Sequence, residues 1–346
     1  MVVDVTDMIL VFVWGKGRLK ILYKRINKQT IFNTVKISLS AILAIVIALM
    51  LQLDFAISAG IVTILTIQPT KKSTINTALD RLYAFITAII IAYVSFDIFG
   101  FTTNAFFMYL IIFIFLCQIF KWYNAMAMNS VLISHFVTLG NMELATLYNE
   151  VMIFIIGVGI GIVVNMHLHK KVDYIEELKT QTDEQIKNVL FRMSKRILDK
   201  DISDYNGECF IILKNQIRKA KNVADENYNN QFGKDDIYDI EYIKMRDKQI
   251  QILFEMYKNI RCLDTTPLTA KKISEFLYEM SKVYHRNNTG NELEKKFLEM
   301  DKYMKNQPLP KERKEFEDRA RLYMLMRNID EFIHIKIEFS QKYNTV

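Results

Sequence analysis

The distribution of apolar and polar residues divides this sequence into two parts. Before about residue 170 the charged residues are scarce and the apolar runs are long, whereas after it almost every helical turn carries a charged side chain. Long apolar runs are typical of helices that cross a lipid bilayer. Apolar positions spaced three to four residues apart predict amphipathic helices in the second part. The clearest series of such positions is Phe210, Leu213, Ile217, Ala220 and Val223.

The pattern therefore predicts an all-α protein with a six-span helical membrane domain followed by a soluble cytoplasmic helical bundle. The predicted spans are Val35–Leu53, Phe55–Ile67, Leu82–Phe99, Phe106–Phe120, Asn124–Leu139 and Leu147–Met166. A basic amphipathic segment at residues 1–34 precedes the membrane domain at residues 35–169, and the helical domain occupies residues 170–346. The last span contains Gly157, Gly159 and Gly161, which permit close contact with another helix.

The second part of the chain is predicted to form amphipathic helices separated by short polar breaks. The predicted helices are Val172–Lys200, Gly207–Asn229, Ile237–Leu263, Thr269–Arg286, Asn291–Lys305 and Lys311–Tyr343. No alternating apolar and polar pattern, which would indicate a β-strand, competes with this assignment. A region of this length is sufficient for an independent helical bundle.

The basic residues indicate which face of the membrane domain lies in the cytoplasm. With six spans, every basic region of the membrane domain falls on the same face. These regions are the segment before span 1, Lys71 with Lys72 and Arg81, Lys121, and Lys170 with Lys171. Positively charged loops remain on the cytoplasmic side, so both the N-terminus and the C-terminal domain are predicted to be cytoplasmic. Glu143 and Glu150 are assigned to a loop on the opposite face.

The second predicted span is interrupted. Phe55–Ile67 contains thirteen apolar or small residues, roughly 20 Å of helix, whereas the hydrocarbon core is about 30 Å thick. Gln68, Pro69 and Thr70 then break the helix. Two interpretations remain open. The break is either a substrate or ion site at membrane depth, as in transporters with discontinuous helices, or an ordinary cytoplasmic turn.

Composition and motifs narrow the classes of function. The sequence has no nucleophile elbow, phosphate-binding loop, dinucleotide fingerprint or metal-ligand spacing, so neither an enzyme nor a cofactor or metal site is predicted. Cys117, Cys209 and Cys262 do not have metal or redox spacing. The net charge of +7 is spread along the chain, so no nucleic-acid-binding face is expected.

Polar residues within the spans are the remaining candidates, because such groups are rare in membranes and often functional. Lys36 begins span 1, where it either attracts an anion or extends to the membrane interface. Arg81 directly follows Asp80, a spacing that does not pair them on a helix, so Arg81 is free to meet an anion, a neighbouring helix or a lipid phosphate. His135 in span 5 is either a proton-coupling residue or a packing residue.

These residues resemble a known family. The resemblance rests on Thr34-Val35-Lys36, followed by Phe55-Ala56, Thr66-Ile67-Gln68-Pro69-Thr70 and Leu79-Asp80-Arg81-Leu82, in that order and spacing. This series resembles the aromatic acid exporter family, a bacterial branch of the fusaric-acid-resistance-like membrane proteins. The C-terminal part resembles the cytoplasmic helical domain of the same family, and the likeness extends over nearly all of residues 30–346.

The resemblance implies a transporter of the bacterial inner membrane that exports aromatic carboxylates or related organic anions, driven by the proton gradient. It implies a substrate site formed by Lys36, Gln68, Pro69, Thr70 and Arg81. His135 is the corresponding candidate for proton coupling. The sequence departs from the family where glycines commonly follow the arginine, since Ala84, Phe85 and Ala88 stand there instead.

Two other functions remain open at this stage. A passive organic-anion channel would have the same layout, and a dependence of the flux on a proton gradient would separate it from an exporter. A non-transporting scaffold or sensor would act through the cytoplasmic helices. The expected partners are the lipid bilayer, a small organic anion and, since closed symmetric assemblies are common, a second copy of the chain in a homodimer.

Overall fold

Every regular element in the part of the chain that the structure describes is a helix, which confirms the all-α prediction. The computed structural model describes residues 28–167, 171–199, 206–231, 237–264 and 268–343. Most of the predicted basic segment at residues 1–34 therefore lies outside the described residues, as does Lys170. The chain divides into two compact units, Met1–Leu168 and His169–Val346.

The N-terminal unit contains six α-helices and one short 3-10 helix within the described residues. The helices are α1 (Lys28–Met50), α2 (Ile57–Thr66), α3 (Lys71–Phe99), α4 (Thr103–Ile119), a 3-10 helix (Tyr123–Ala125), α5 (Met126–Leu139) and α6 (Leu144–Asn165). Length and composition make α1, α3 and α6 capable of crossing a membrane, whereas α2 and α4 are apolar but shorter. The unit thus has the helices of a membrane domain, and six crossings stay a prediction.

The third predicted span begins three turns earlier than its hydropathy indicates. α3 starts at Lys71 instead of Leu82. Thr70 caps this start, since its hydroxyl oxygen accepts a hydrogen bond from the Ser73 backbone amide at 3.3 Å, while the Ser73 hydroxyl accepts from the Thr70 amide at 3.3 Å. This reciprocal arrangement is a capping box. Polarity misplaced the boundary because Thr74, like other polar residues of these turns, is buried against protein.

Close packing of α3 tolerates the alanines that replace the expected glycines. Ala84 and Ala88 are fully buried, and Phe85 is 3% exposed. α3 packs on α4 and α5 through this surface. Phe85 stacks on Phe154 of α6, with ring centroids 4.5 Å apart. A methyl group therefore fits at both alanine positions without separating the helices.

α1 presents an apolar surface that suits lipid. Five of its exposed aliphatic side chains have 44 to 61% of their area accessible, and they are Leu39, Ile42, Leu43, Val46 and Leu49. A contiguous apolar surface of this kind is unusual for a helix in water. It is the expected surface of a helix in contact with hydrocarbon chains.

Three glycines allow α2 to lie directly against its neighbours. A Cβ atom added at Gly157 of α6 would lie 2.5 Å from the Val62 side chain, and one at Gly161 would lie 2.7 Å from Thr66 Cβ. On the other side of α2, a Cβ atom at Gly60 would lie 2.7 Å from a side chain of α1. The prediction that the glycines of the last span permit close helix contact is therefore confirmed for Gly157 and Gly161. The short helix α2 is held between α1 and α6.

The C-terminal unit consists of the predicted amphipathic helices, with ends that agree within about one helical turn. They are α7 (Val172–Arg196), α8 (Glu208–Asn229), α9 (Tyr238–Arg261), α10 (Leu268–Val283), α11 (Asn291–Lys305) and α12 (Arg313–Tyr343). Their apolar faces meet in one core. The residues used above to illustrate the spacing in α8, from Phe210 to Val223, all belong to this core.

A buried polar network joins α7 and α9 to the residue that follows α10. Arg246 of α9 is fully buried, and its Nε donates to Asp183 Oδ1 of α7 at 2.8 Å. Its Nη1 donates to Gln249 Oε1 at 2.8 Å and also contacts the Tyr284 hydroxyl. The Tyr242 hydroxyl donates to Asp183 Oδ2 at 2.6 Å. Since burial raises the pKa of Tyr284, this hydroxyl remains neutral.

Lys336 is expected to destabilise the C-terminal unit at neutral pH. Burial, together with the positive charge of Arg246, lowers the pKa of Lys336 from 10.5 to about 8. Below pH 8 the lysine is charged in both states, so the folded state carries the full penalty of a buried ammonium. Between about pH 8 and 10.5 the unfolded chain binds this proton and the folded chain does not, so stability from this group rises with pH.

We therefore expect Lys336→Met to raise the free energy of unfolding at pH 7. The expected gain is about 1 kcal/mol, less than the pKa shift alone would give, because the substitution also removes the hydrogen bond that the ammonium donates to the Arg286 carbonyl. Thermal unfolding of a fragment spanning residues 171–346 measures this gain, which should shrink between pH 8 and 10.5. Lys302→Met, at an exposed position of α11, is the matched control. A wild type more stable than Lys336→Met at pH 7 contradicts the prediction.

Candidate functional site

The chain between α2 and α3 is held in place by a buried asparagine of α6. Asn165, 2% exposed, donates from Nδ2 to the Gln68 carbonyl oxygen at 2.8 Å and to Thr74 Oγ1 at 2.5 Å. A longer contact of 3.5 Å joins the same nitrogen to the Thr70 carbonyl oxygen. An interrupted helix at membrane depth requires partners for its freed backbone groups. Asn165 supplies them here.

Lys36 joins the same network. Its Nζ donates to Asn165 Oδ1 at 3.2 Å. The side chain is half-buried, and among the described residues no carboxylate forms an ion pair with it. Lys36 therefore lies next to the break, one side chain away from the Gln68 and Thr70 carbonyl oxygens, as an ammonium with a neutral partner.

Arg81 is buried against the end of α2. It is 2% exposed, its Nη1 donates to Thr66 Oγ1 at 2.9 Å, and its Nε donates to the Asn124 carbonyl oxygen at 3.2 Å. Of the options left open for Arg81, this structure shows contact with neighbouring helical segments. No described carboxylate pairs with the guanidinium. A buried cation with only neutral partners is energetically unfavourable, and such residues in membrane domains often mark substrate pathways.

The start of α3 adds positive potential to the break. Lys71 and Lys72 are its first residues, and no acidic residue lies in its first turn. The N-terminus of a helix carries a partial positive charge, so acidic side chains are the ones normally favoured there. Cations at this position are compatible with an anion bound nearby.

The predicted site residues contribute to this region in different ways. The Gln68 side chain donates from Nε2 to the Leu65 carbonyl oxygen at 3.0 Å, and the Thr70 side chain caps α3. Both therefore reach the network through their backbone carbonyls. Pro69 is exposed at the break. The structure thus brings together Lys36 and the backbone of the break, with Arg81 at the last residue of α2.

A second polar cluster surrounds His135, near the opposite ends of these helices. His135 Nδ1 lies 2.8 Å from Glu150 Oε2, and Nε2 lies 3.3 Å from Ser58 Oγ in the first turn of α2. The imidazole ring stacks on Phe55 with centroids 4.1 Å apart. The assignment of Glu150 to a loop is wrong, because this residue is fully buried within α6. Its neighbours shield the carboxylate from water, whereas its polarity alone indicates an exposed residue.

Sequence reasoning missed several residues of both clusters. They are Thr66, Thr74, Asn149, Glu150 and Asn165. The sequence does contain a feature that indicates them. Each is a polar residue in or beside an apolar segment, where an unpaired polar group is unfavourable. The sequence does not state which other helix supplies the partner, so the connections appear only in the folded chain.

Polar contacts join α6 to neighbouring segments at both of its ends. Lys36 near the start of α1 contacts Asn165 at the end of α6, which in turn contacts the break after α2. At the other ends, Asn149 near the start of α6 bonds the backbone of Asp54 after α1. This arrangement of apolar helices, with buried polar groups at a helix break, defines a helical membrane protein.

Comparison with known proteins identifies its family. A family model described as "Aromatic acid exporter family member 1" matches residues 29–168, and one described as "Putative aromatic acid exporter C-terminal domain" matches residues 173–337. The chain belongs to the aromatic acid exporter family, a family of membrane exporters and not of enzymes. The predicted resemblance is thereby confirmed.

Two individual proteins are similar to this chain. The "Uncharacterized protein YqjA" of Bacillus subtilis (strain 168) is 28% identical over 312 residues, which are 89% of this chain and 95% of the relative. A solved structure, described as "Crystal structure of putative membrane protein from Clostridium difficile 630", is 26% identical with a TM-score of 0.43. It covers 48% of this chain and 99% of its own.

Proposed function

We propose that this protein is a transporter of the bacterial inner membrane that exports aromatic carboxylates or related organic anions. The observation that carries the proposal is the pair of cations beside the interrupted helix, Lys36 and Arg81, which have only neutral hydrogen-bond partners among the described residues. Buried cations of this kind are suited to receive a carboxylate, since charge-assisted hydrogen bonds are stronger than neutral ones.

The two cations have different roles in the proposed site. Lys36 is half-buried, so its ammonium is accessible to an incoming anion and attracts it. Arg81 is deeper, and it exchanges Thr66 Oγ1 and the Asn124 carbonyl for the substrate carboxylate. The planar guanidinium binds a carboxylate through two parallel hydrogen bonds, whereas an ammonium acts as a point charge. The break thus provides first attraction and then orientation.

The proposed orientation follows the basic residues. Lys36, Lys71 and Lys72 lie near the break, and positively charged segments remain in the cytoplasm. The substrate site therefore opens from the cytoplasm, as export requires. The chain is proposed to be multi-pass, with its N-terminus and C-terminal unit cytoplasmic, and to work in the bilayer as a homodimer.

Uptake into inside-out vesicles tests this function. We expect labelled p-hydroxybenzoate to accumulate when the vesicle lumen is acid, and to stop accumulating when the gradient is collapsed. Vesicles without the protein are the control. Uptake that continues unchanged after collapse would instead establish a passive anion channel. The absence of uptake for every member of a panel of aromatic carboxylates would refute the proposal and favour a scaffold or sensor.

A further inference from the structure

His135 and Glu150 form a buried polar site that lies apart from the helix break. Glu150 is fully buried and His135 is 6% exposed. Glu150 Oε2 lies 2.8 Å from His135 Nδ1, and Oε1 accepts a hydrogen bond from Asn149 Nδ2 at 3.0 Å. Among the described residues, Glu150 forms no ion pair with a lysine or an arginine. Within the part of the chain that the structure describes, the imidazole is therefore the only basic group that Glu150 contacts.

In this environment the number of protons bound to the pair determines its net charge and therefore its stability. An ionised carboxylate in an apolar interior is strongly disfavoured unless a charged partner balances it. A neutral imidazole does not balance it. The pair is electrically neutral overall only when it holds one proton in addition to the hydrogen that a neutral imidazole already carries. The geometry thus provides a binding site for a single proton inside the N-terminal unit.

The groups that contact the pair come from α2, from the segment before α2 and from α6. α2 contributes Ser58, whose Oγ lies 3.3 Å from His135 Nε2, and the segment before α2 contributes the stacked ring of Phe55. Asn149 of α6 also accepts from the Asp54 amide at 2.8 Å and donates to the Asp54 carbonyl oxygen at 3.1 Å. Asp54 is exposed, so this side of the pair lies near the surface. No other described charged side chain contacts the pair.

We propose that Glu150 is the proton-carrying residue of this exporter and that His135 relays its proton to Ser58 on α2. This inference rests on the proposed export function. A proton from the outer face forms an O–H bond on Glu150. This O–H group donates a hydrogen bond to His135 Nδ1, while the Nε2–H group donates a hydrogen bond to Ser58 Oγ. On release, the Glu150 O–H bond breaks as the Nδ1–H bond forms, the Nε2 hydrogen passes to Ser58 Oγ, and the Ser58 hydroxyl gives its own hydrogen to a water molecule.

The release reverses the hydrogen bond at α2. Once Nε2 has lost its hydrogen it becomes an acceptor, so the Ser58 hydroxyl must turn from acceptor to donor. Ser58 lies in the first turn of α2 and Thr66, the partner of Arg81, is its last residue. These residues are roughly 12 Å apart along the helix axis. α2 therefore connects the proton site to the substrate site through a single short helix.

Glu150→Gln tests the proposal in transport, because glutamine keeps the shape and hydrogen-bonding ability but has no carboxyl group to take up or release a proton. We expect gradient-driven uptake of p-hydroxybenzoate to fall at least tenfold. Exchange of labelled for unlabelled p-hydroxybenzoate at equal pH on both sides should stay within twofold of wild type. Glu143→Gln, at an exposed position just before the same helix, is the matched control and should keep both activities.

Infrared spectroscopy of the substrate-free protein tests proton binding directly. We expect the carbonyl stretching band of a protonated carboxyl group in wild type to be absent from Glu150→Gln. In His135→Asn, the frequency of this band should change, because the imidazole that accepts the hydrogen bond of the carboxyl group is gone. If Glu150→Gln does not fold, His135→Asn decides the question by this spectral change and by the loss of gradient-driven uptake.

Three results would overturn the proposal. They are identical infrared bands in wild type and Glu150→Gln, gradient-driven uptake by Glu150→Gln at the wild-type rate, and loss of exchange together with gradient-driven uptake in that variant. The last result would make Glu150 part of the substrate path. If wild type transports no anion in the panel, the proposed export function fails, while the infrared band still decides whether Glu150 binds the proton.

Discussion

Replacing Arg81 with alanine is expected to lower export of aromatic carboxylates about 10- to 100-fold, the equivalent of losing one charge-assisted hydrogen-bonding partner worth about 1.5–3 kcal/mol. The reason is that Arg81 is a buried guanidinium whose present partners, Thr66 Oγ1 and the Asn124 carbonyl, are both neutral. A substrate carboxylate would be its first charged partner. Arg81→Lys keeps the charge but loses the planar two-bond geometry, so an intermediate loss is expected.

The matched control for this prediction is Thr66→Val. Valine has nearly the shape of threonine, so it fits beside Gly161, but it removes the hydroxyl that holds Arg81 in the substrate-free protein. We expect this variant to lose less than threefold in export, because the guanidinium itself remains. Uptake into inside-out vesicles, normalised to the amount of folded protein, measures all three variants. Wild-type uptake by a folded Arg81→Ala protein would remove Arg81 from the site.

Gly157→Ala is expected to destabilise the N-terminal unit by about 1–3 kcal/mol, the usual effect of overpacking a tight interior. The added Cβ atom would lie 2.5 Å from Val62 Cβ and Cγ1 and 2.8 Å from the Ala59 carbonyl oxygen. Neither neighbour is the far end of a flexible side chain, so α2 itself must move away from α6. Because α2 carries Thr66 at its end, export should fall together with stability.

Gly159→Ala provides an internal control on the same helix. Nothing lies within 4 Å of a Cβ atom at Gly159. Alanine there should leave the melting temperature unchanged or raise it slightly, since it restricts the unfolded chain. Thermal unfolding of the purified protein in detergent compares the two variants. Equal melting temperatures for Gly157→Ala and Gly159→Ala would show that the contact between α2 and α6 is looser than the structure indicates.

The sequence by itself determined the features that depend on local pattern. The spacing of apolar residues places the helices of the C-terminal unit, because a helix periodically buries one face. Gln68, Pro69 and Thr70 locate the end of α2, because proline and the residue before it are incompatible with continuing a helix. The family was also predictable, since its residues recur in order along the chain.

Only the tertiary structure decided which polar groups meet. Asn165 is 97 residues from Gln68 along the chain, and their contact follows from the packing of α6 on α2. The same holds for Glu150, which hydropathy assigns to a loop until His135 of another helix is placed beside it. The start of α3 was misplaced because its polar first turns are buried by neighbours. Which polar groups are buried and which partners they meet depends on the whole fold, because a local pattern does not specify the neighbouring helix.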